Sequence, residues 1–156
     1  MPLSELRDKI EGTLLVDTHE HLLEERTRLT GIGTHRLLPC DDAALLFHHY
    51  AGDDLASAGM TEDERERFFG RNLGPEEKWA ILAPYWPRVR HTGYVQAVRR
   101  SIRALYGIDG LHAAAFAEVT ERMRARARPG LYREVLARAG VESCQVNSLE
   151  ATYCET

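Results

Sequence analysis

The chain has 156 residues, of which 44% are hydrophobic and 28% are charged, with a formal net charge of -4. This length and composition are typical of one globular domain and exclude a disordered tail or a fibrous protein. With 20 basic against 24 acidic residues, no large basic face is available to neutralise phosphates, so we expect no nucleic-acid partner. No apolar run approaches membrane-spanning length, and we expect no membrane association.

Cysteine usage and the N-terminus predict a cytoplasmic protein. Cys40, Cys144 and Cys154 form no C-x-x-C pair, and their odd number argues against a closed disulfide framework. The opening MPLSELRDKIEG mixes charges with short apolar stretches, so it lacks the continuous apolar core of a signal peptide. We therefore expect a soluble chain in a reducing compartment.

The first elements in the pattern are a short helix and a strand. Ser4 is suited to cap a helix that Gly12 ends. Residues 13–18 (TLLVDT) are apolar and β-prone, and polar His19 and His21 follow almost directly. The pattern predicts a buried strand that emerges at a functional edge.

Residues 41–128 are almost entirely helical in pattern. The boundaries are marked by residues that cap, open or break helices, namely Asp41 or Asp42 before a helix to Tyr50, Thr61 with Glu64 as a capping box before Gly70, Pro75 in a first turn, and Pro84 with Pro87 as breakers. The clearest amphipathic helix is GYVQAVRRSIRALYG, whose apolar face is formed by Tyr94, Val98, Ile102 and Leu105 before a stop at Gly107. A further helix is expected over 111–127.

A helix and a strand complete the pattern. LYREVLARAG predicts a helix after Gly130, and VESCQVNSL (141–149) predicts a second strand. Two strands joined through a helix are expected to lie parallel, with a right-handed crossover, in an α/β fold. Because parallel sheets need several strands and cover on both faces, either the chain is a fragment or the count of two strands is wrong.

The main candidate for chemistry is the His-x-His pair. Side chains alternate along a strand, so His19 and His21 project to one face, and Asp17 lies on that face too. Neutral imidazole is a good ligand for zinc and other divalent metals. Asp17 either orients an imidazole or accepts backbone hydrogen bonds. The spacing therefore predicts a metal site with His19 and His21 as ligands.

The segment LLVDTHEHLLEE resembles the first-strand signature of the amidohydrolase superfamily, in which an Asp-x-His-x-His stretch supplies two metal ligands. Asp17, His19 and His21 match that signature residue by residue. WAILAPYWPRVRHTGYVQAVRRSIRALYGIDGL is similar to the helical insert of the uronate isomerase-like and related branch. RPGLYREVLARAGVESCQVNSL is similar to the helix and second strand of such proteins.

The resemblance implies an N-terminal fragment of a (β/α)8 barrel, with 1–156 as one incomplete domain and 41–128 as a helical insertion between strands 1 and 2. It also implies a divalent metal, with zinc as first choice, that activates water or orients a sugar acid. The remaining ligands of such enzymes come from later strands, so we expect the chain alone to be inactive. Two alternatives stay open: HEHL also resembles phosphotriesterase-like lactonases, and the chain could be a non-enzymatic helical interaction module with an incidental His-x-His.

Other candidate residues have weaker support. Trp86 and Arg90 lie where prolines break a helix, and Asn147 lies near the end of the second strand, so all three are candidates to bind a small-molecule substrate. His48 and His49 are neighbours in a predicted helix, about 100° apart, and so should not form a ligand pair. Unpaired strand edges predict self-association of the isolated chain.

Overall fold

The computed structural model describes residues 2–31 and 38–146. Their elements, in chain order, are α1 (Leu3–Glu11), β1 (Leu15–Glu20), α2 (Glu25–Gly31), a 3₁₀ helix (Ala43–Phe47), α3 (Tyr50–Ser57), α4 (Glu62–Phe69), α5 (Pro75–Leu82), α6 (Trp86–Val89), α7 (Gly93–Tyr106), α8 (Ala113–Arg126), α9 (Leu131–Arg138) and β2 (Val141–Val146). They form two compact units. The strand unit takes the described residues of Met1–Thr30 and Arg128–Thr156, and the helical unit takes those of Gly31–Ala127.

In the strand unit, β1 and β2 form a parallel pair, as the sequence predicted. Asp17 lies opposite Cys144 and Glu20 opposite Val146. The pair begins where the amide of Leu15 donates to the carbonyl of Gly140 at 2.8 Å. Because the strands are parallel, their carboxyl ends lie at the same edge, which is where the His-x-His segment begins.

In the helical unit, several predicted helix boundaries are confirmed. The Thr61 hydroxyl accepts from the Glu64 amide, and the Glu64 carboxylate accepts from the Thr61 amide, so the capping box is complete. Pro75 opens α5, and Gly107 ends α7 with a φ of 68°, a left-handed conformation that glycine adopts without strain. The helices pack around a shared core whose largest buried side chains include Phe47, Phe68 and Phe116.

The predicted fold class, an α/β fragment of a (β/α)8 barrel, is wrong. The protein is mostly helical, and its described residues contain two strands of six residues each. A barrel strand is buried on both faces, whereas Leu15 and Val16 of β1 are 53% and 65% exposed. The apolar run 13–18 predicted a buried strand because local pattern identifies a strand but cannot show whether other elements cover it.

Two local predictions for the helical unit also fail. The helix expected from Asp42 to Tyr50 is a 3₁₀ helix that ends at Phe47, and α3 starts anew at Tyr50 after His49, whose φ is 67°. Tyr94 was predicted to belong to the apolar buried face of α7. It is instead exposed and stacks on Tyr50, with ring centroids 4.9 Å apart. The buried positions of that helix are Val95, Val98 and Ile102.

Among the helices of the described residues, none combines the length and the apolar character that crossing a membrane requires.

Candidate functional site

The His-x-His pair lies at the carboxyl end of β1. His19 is inside the strand, His21 is the first residue after it, and both are exposed. The Nε2 atoms of the two imidazoles are 3.1 Å apart, and the rings meet edge to face with centroids 4.7 Å apart. The strand alternation predicted that both rings project to one side, and the structure brings them together there.

This geometry suits two ligands of one tetrahedral metal. With Zn–N bonds of about 2.0–2.1 Å and tetrahedral angles, two ligating nitrogens lie about 3.3 Å apart. The observed separation of 3.1 Å between the Nε2 atoms of His19 and His21 differs little from that value. In the metal-free chain the same distance allows one Nε2–H to donate to the other Nε2.

Two carboxylates hold the backbone of this segment. Asp17 Oδ1 accepts from the amide of His19 at 3.0 Å, and Glu20 Oε2 accepts from the amide of His21 at 3.1 Å. The sequence left two roles open for Asp17, namely accepting backbone hydrogen bonds and orienting an imidazole, and this contact corresponds to the first. The backbone amide of each histidine is therefore held by the carboxylate of a neighbouring acid. The two acids also place negative charge beside the imidazoles.

The chemistry of the donors fits a divalent metal, but the part of the chain that the structure describes does not supply a complete set. Zinc sites use at least three protein ligands. Within residues 2–31 and 38–146, no group of three or more His, Cys, Asp or Glu side chains is placed to hold a metal ion. Of the predicted ligand set, the described residues thus bring together two side chains, those of His19 and His21.

A cleft of about 520 Å³ lies in the strand unit, and its lining begins at Leu22, directly after His21. Its opposite wall is the start of α9, including Tyr132 and the cation Arg133. A second cleft, of about 500 Å³, shares Leu22, Tyr132 and Arg133 and extends along β2 to Val146. The chain therefore continues from the histidine pair into a concave surface of the size that small molecules occupy.

Glu25 shapes this cleft. Its carboxylate accepts from the amides of Gly130 and Tyr132, each at 2.8 Å, and so caps the first turn of α9. These hydrogen bonds lower the pKa of Glu25 below 4.5, with a small further contribution from the charge of Arg28. Gly130 has a φ of 89°, which glycine tolerates and which turns the chain into the helix.

Two of the three predicted substrate-binding residues, Trp86 and Arg90, lie in the other unit. Trp86 and Arg90 are part of the helical unit, whereas the histidine pair is part of the strand unit. Trp86 is half-buried against Phe47 and Trp79, with ring centroids 6.4 and 6.1 Å away, and Arg90 is exposed. Asn147 lies outside the described residues. Trp86 therefore packs within the helical unit, and substrate binding by Trp86, Arg90 and Asn147 stays a prediction.

His48 and His49 lie in a turn and not in the predicted helix. Their rings touch, with centroids 4.3 Å apart, and His48 also packs edge to face on Phe69. Burial, then the neighbouring charges of His49 and Arg65, lowers the pKa of His48 below 6.5. Of the other histidines, His91 is exposed and His112 caps α8 through Nδ1.

The sequence did not predict a buried ion pair in the helical unit. Lys78 Nζ lies 2.5 Å from Asp42 Oδ2, and the two side chains are 0% and 8% exposed. Asp42 also caps the 3₁₀ helix by accepting from the amide of Ala44, which confirms its predicted capping role. Burial, then the charge of Asp42, raises the pKa of the neighbouring Cys40 thiol to about 12, so Cys40 is a poor nucleophile. The pair joins positions 36 apart, which no local pattern reveals.

Comparisons of the chain with protein families, with curated proteins and with solved structures found no match. The resemblance of the first strand to the amidohydrolase signature therefore rests on the residues of that strand.

Proposed function

We propose that this chain holds a divalent metal ion, zinc in the first instance, through His19 and His21, and that the metal serves a hydrolytic reaction on a small molecule. The observation that carries the proposal is the 3.1 Å separation of the two Nε2 atoms on the exposed end of β1. The match of Asp17, His19 and His21 to the amidohydrolase first-strand signature supports the same chemistry.

A divalent metal at such a pair supplies a Lewis acid that lowers the pKa of water and polarises the bond under attack. In this proposal, the residues of the chain hold the metal and orient the groups around it. Asp17 and Glu20 hold the backbone that carries the imidazoles, and Arg133 offers a planar cation to a carboxylate in the cleft that follows His21. Amides, lactones and sugar acids all carry oxygen groups suited to this arrangement. The non-hydrolytic variant of the proposal is that the metal orients a sugar acid, as in uronate isomerase-like enzymes.

Catalysis needs more than two ligands and a general base, so we propose that the chain acts with further groups and has little activity alone. A cytoplasmic location, based on the three cysteines and their spacing, remains part of this proposal.

A second candidate function is that of an interaction module in which the histidine pair is incidental. Exposed apolar side chains on α1 favour it, because Leu3 and Ile10 are 75% and 65% exposed along one face with Leu6. Exposed apolar surface of this kind marks sites where a partner packs. Metal binding distinguishes the two candidates.

The test is calorimetric titration of zinc into the purified chain. We expect a single class of site that is lost in the His19→Ala/His21→Ala variant and kept in His91→Ala, a matched control because His91 is an exposed histidine of the other unit. Equal zinc binding by the wild-type chain and the double variant would remove the proposed function and leave the interaction module.

A further inference from the structure

One side of α7 carries a row of cations. Gln96, Arg99, Arg100 and Arg103 follow one another at the spacing of three and four residues that brings side chains together along a helix. Arg100 and Arg103 are exposed, and Arg99 is half-buried. Like charges at these spacings repel one another and oppose helix formation. An anion bound to this row would therefore stabilise the helix that carries it.

The same side chains line a small cleft in the helical unit. The cleft has a volume of about 180 Å³, and Asp109, which follows α7 in the chain, forms part of its wall. Sites for drug-sized molecules have volumes of about 300–1,000 Å³. This cleft is therefore suited to one small charged group and not to a large cofactor.

Contacts with the segment before α7 hold one end of the cleft. Nη1 of Arg99 donates to the carbonyl of Arg90 at 3.3 Å, and Nε2 of Gln96 donates to the carbonyl of His91 at 2.9 Å. A guanidinium presents several N–H donors, so the contact of Arg99 leaves donors for a ligand. A cation that is already held in place loses less conformational freedom when it binds an anion.

The charge of the cleft points to a phosphate group. Among the described residues, the lining holds three guanidiniums and one carboxylate, so positive charge is in excess by two, although the whole chain has a net charge of -4. Oδ2 of Asp109 lies 3.9 Å from Nη1 of Arg103, and both side chains are more than 70% exposed, so this ion pair is weak. A phosphate monoester carries a charge of about -1.5 to -2 on one compact group, whereas a carboxylate carries a single charge. Guanidinium groups bind phosphate oxygens through paired N–H donors.

We propose that this cleft binds a phosphate group, free or carried by a small molecule, through Arg99, Arg100 and Arg103. Asp109 acts against binding, because its carboxylate repels the phosphate and competes for Arg103. The site belongs to the helical unit and uses none of the residues of the proposed metal site. It is therefore a second binding site that can be tested by itself.

The test is calorimetric titration of the full chain, at neutral pH and low ionic strength, with inorganic phosphate and with methyl phosphate. We expect saturable binding with one site per chain. Tighter binding of methyl phosphate assigns the cleft to phosphate esters, and tighter binding of inorganic phosphate assigns it to the free ion. Malonate is the matched control ligand, because its two charges lie on separate carboxylates, and it should bind more weakly than either phosphate.

Variants of the cleft identify the residues that bind. Arg100→Gln/Arg103→Gln removes two cations and should weaken phosphate binding by about tenfold or more, because hydrogen bonds between charged groups are the strong ones. Arg67→Gln/Arg124→Gln removes the same charge from exposed positions outside the cleft and should bind phosphate as the wild-type chain does. Asp109→Asn should tighten binding by about fivefold, the effect of removing one like charge about 4 Å away in water. Circular dichroism establishes that each variant is folded.

Four results would overturn this inference. The first is the absence of saturable phosphate binding at millimolar concentration, and the second is malonate binding as tight as that of the phosphates. The third is an equal loss of binding in the cleft variant and in the charge-matched control, which would show that only overall charge matters. The fourth is unchanged or weaker binding by Asp109→Asn. None of these results alters the zinc titration, so failure here is distinguishable from failure of the proposed function.

Discussion

Removing the charge of Lys78 should strongly destabilise the helical unit. Its side chain is fully buried, and its Nζ lies 2.5 Å from the carboxylate of Asp42, which is itself only 8% exposed. Lys78→Met keeps a long unbranched side chain but leaves a buried carboxylate without its cation. Breaking one side of a buried ion pair costs about 3–5 kcal/mol. That is a large part of the roughly 5–15 kcal/mol that stabilises an ordinary domain.

A second substitution tests whether the uncompensated charge is the cause. Asp42 Oδ1 also accepts from the amide of Ala44 at 2.9 Å, and the amide oxygen of asparagine can keep that cap. Lys78→Met/Asp42→Asn therefore removes both charges and retains the capping bond. We expect the double variant to recover most of the loss, to within about 1–2 kcal/mol of the wild-type chain, because a buried pair contributes little beyond its own desolvation cost.

The assay is urea denaturation followed by tryptophan fluorescence. Both tryptophans of the chain, Trp79 and Trp86, belong to the helical unit, so the signal reports the unit that contains the pair. A loss below about 1 kcal/mol for Lys78→Met would refute the reasoning. So would a double variant that is no more stable than the single one, because the cost would then come from lost packing and not from an unpaired charge.

Two further predictions concern pH. Because burial holds the pKa of His48 below 6.5, the unfolded chain binds the proton more readily, and the helical unit should lose stability as the pH falls below about 6.5. Denaturation of the His48→Phe variant should lack this loss of stability at low pH. Identical pH profiles of the variant and the wild-type chain would contradict the prediction. Because the amides of Gly130 and Tyr132 lower the pKa of Glu25, its contribution should be present above about pH 4.5 and be lost as the pH falls through the lowered pKa. Glu25→Ala should cost about 0.5–2 kcal/mol, as other helix caps do, and hydrogen exchange along α9 measures this; unchanged protection at neutral pH would show that the cap contributes nothing.

Local features of the sequence determined where many elements begin and end. The capping box of Thr61 with Glu64, the opening of α5 at Pro75 and the end of α7 at Gly107 all follow from interactions within a few residues. The convergence of His19 and His21 is of the same kind, because strand alternation alone puts the two rings on one side. Such features are predictable since each depends on backbone geometry and not on distant partners.

Tertiary structure decided what covers each element. The apolar run before His19 predicted a buried strand of a barrel, yet β1 pairs with β2 and leaves Leu15 and Val16 exposed. Trp86 lies at a proline break, where a binding loop was expected, and packs on Phe47. Burial depends on elements far along the chain, so a period of two or 3.6 residues identifies an element but not its surroundings.

The contacts that hold each unit together join residues far apart in sequence. Glu25 caps α9 from 105 residues away, and Lys78 meets Asp42 across 36 residues. Sequence alone identified Asp42 as a possible helix cap and assigned no role to Glu25 or Lys78, because acids and lysines ordinarily lie at the surface. Only folding removed water from Asp42 and Lys78, and this desolvation turns an ordinary charge into one whose partner determines stability.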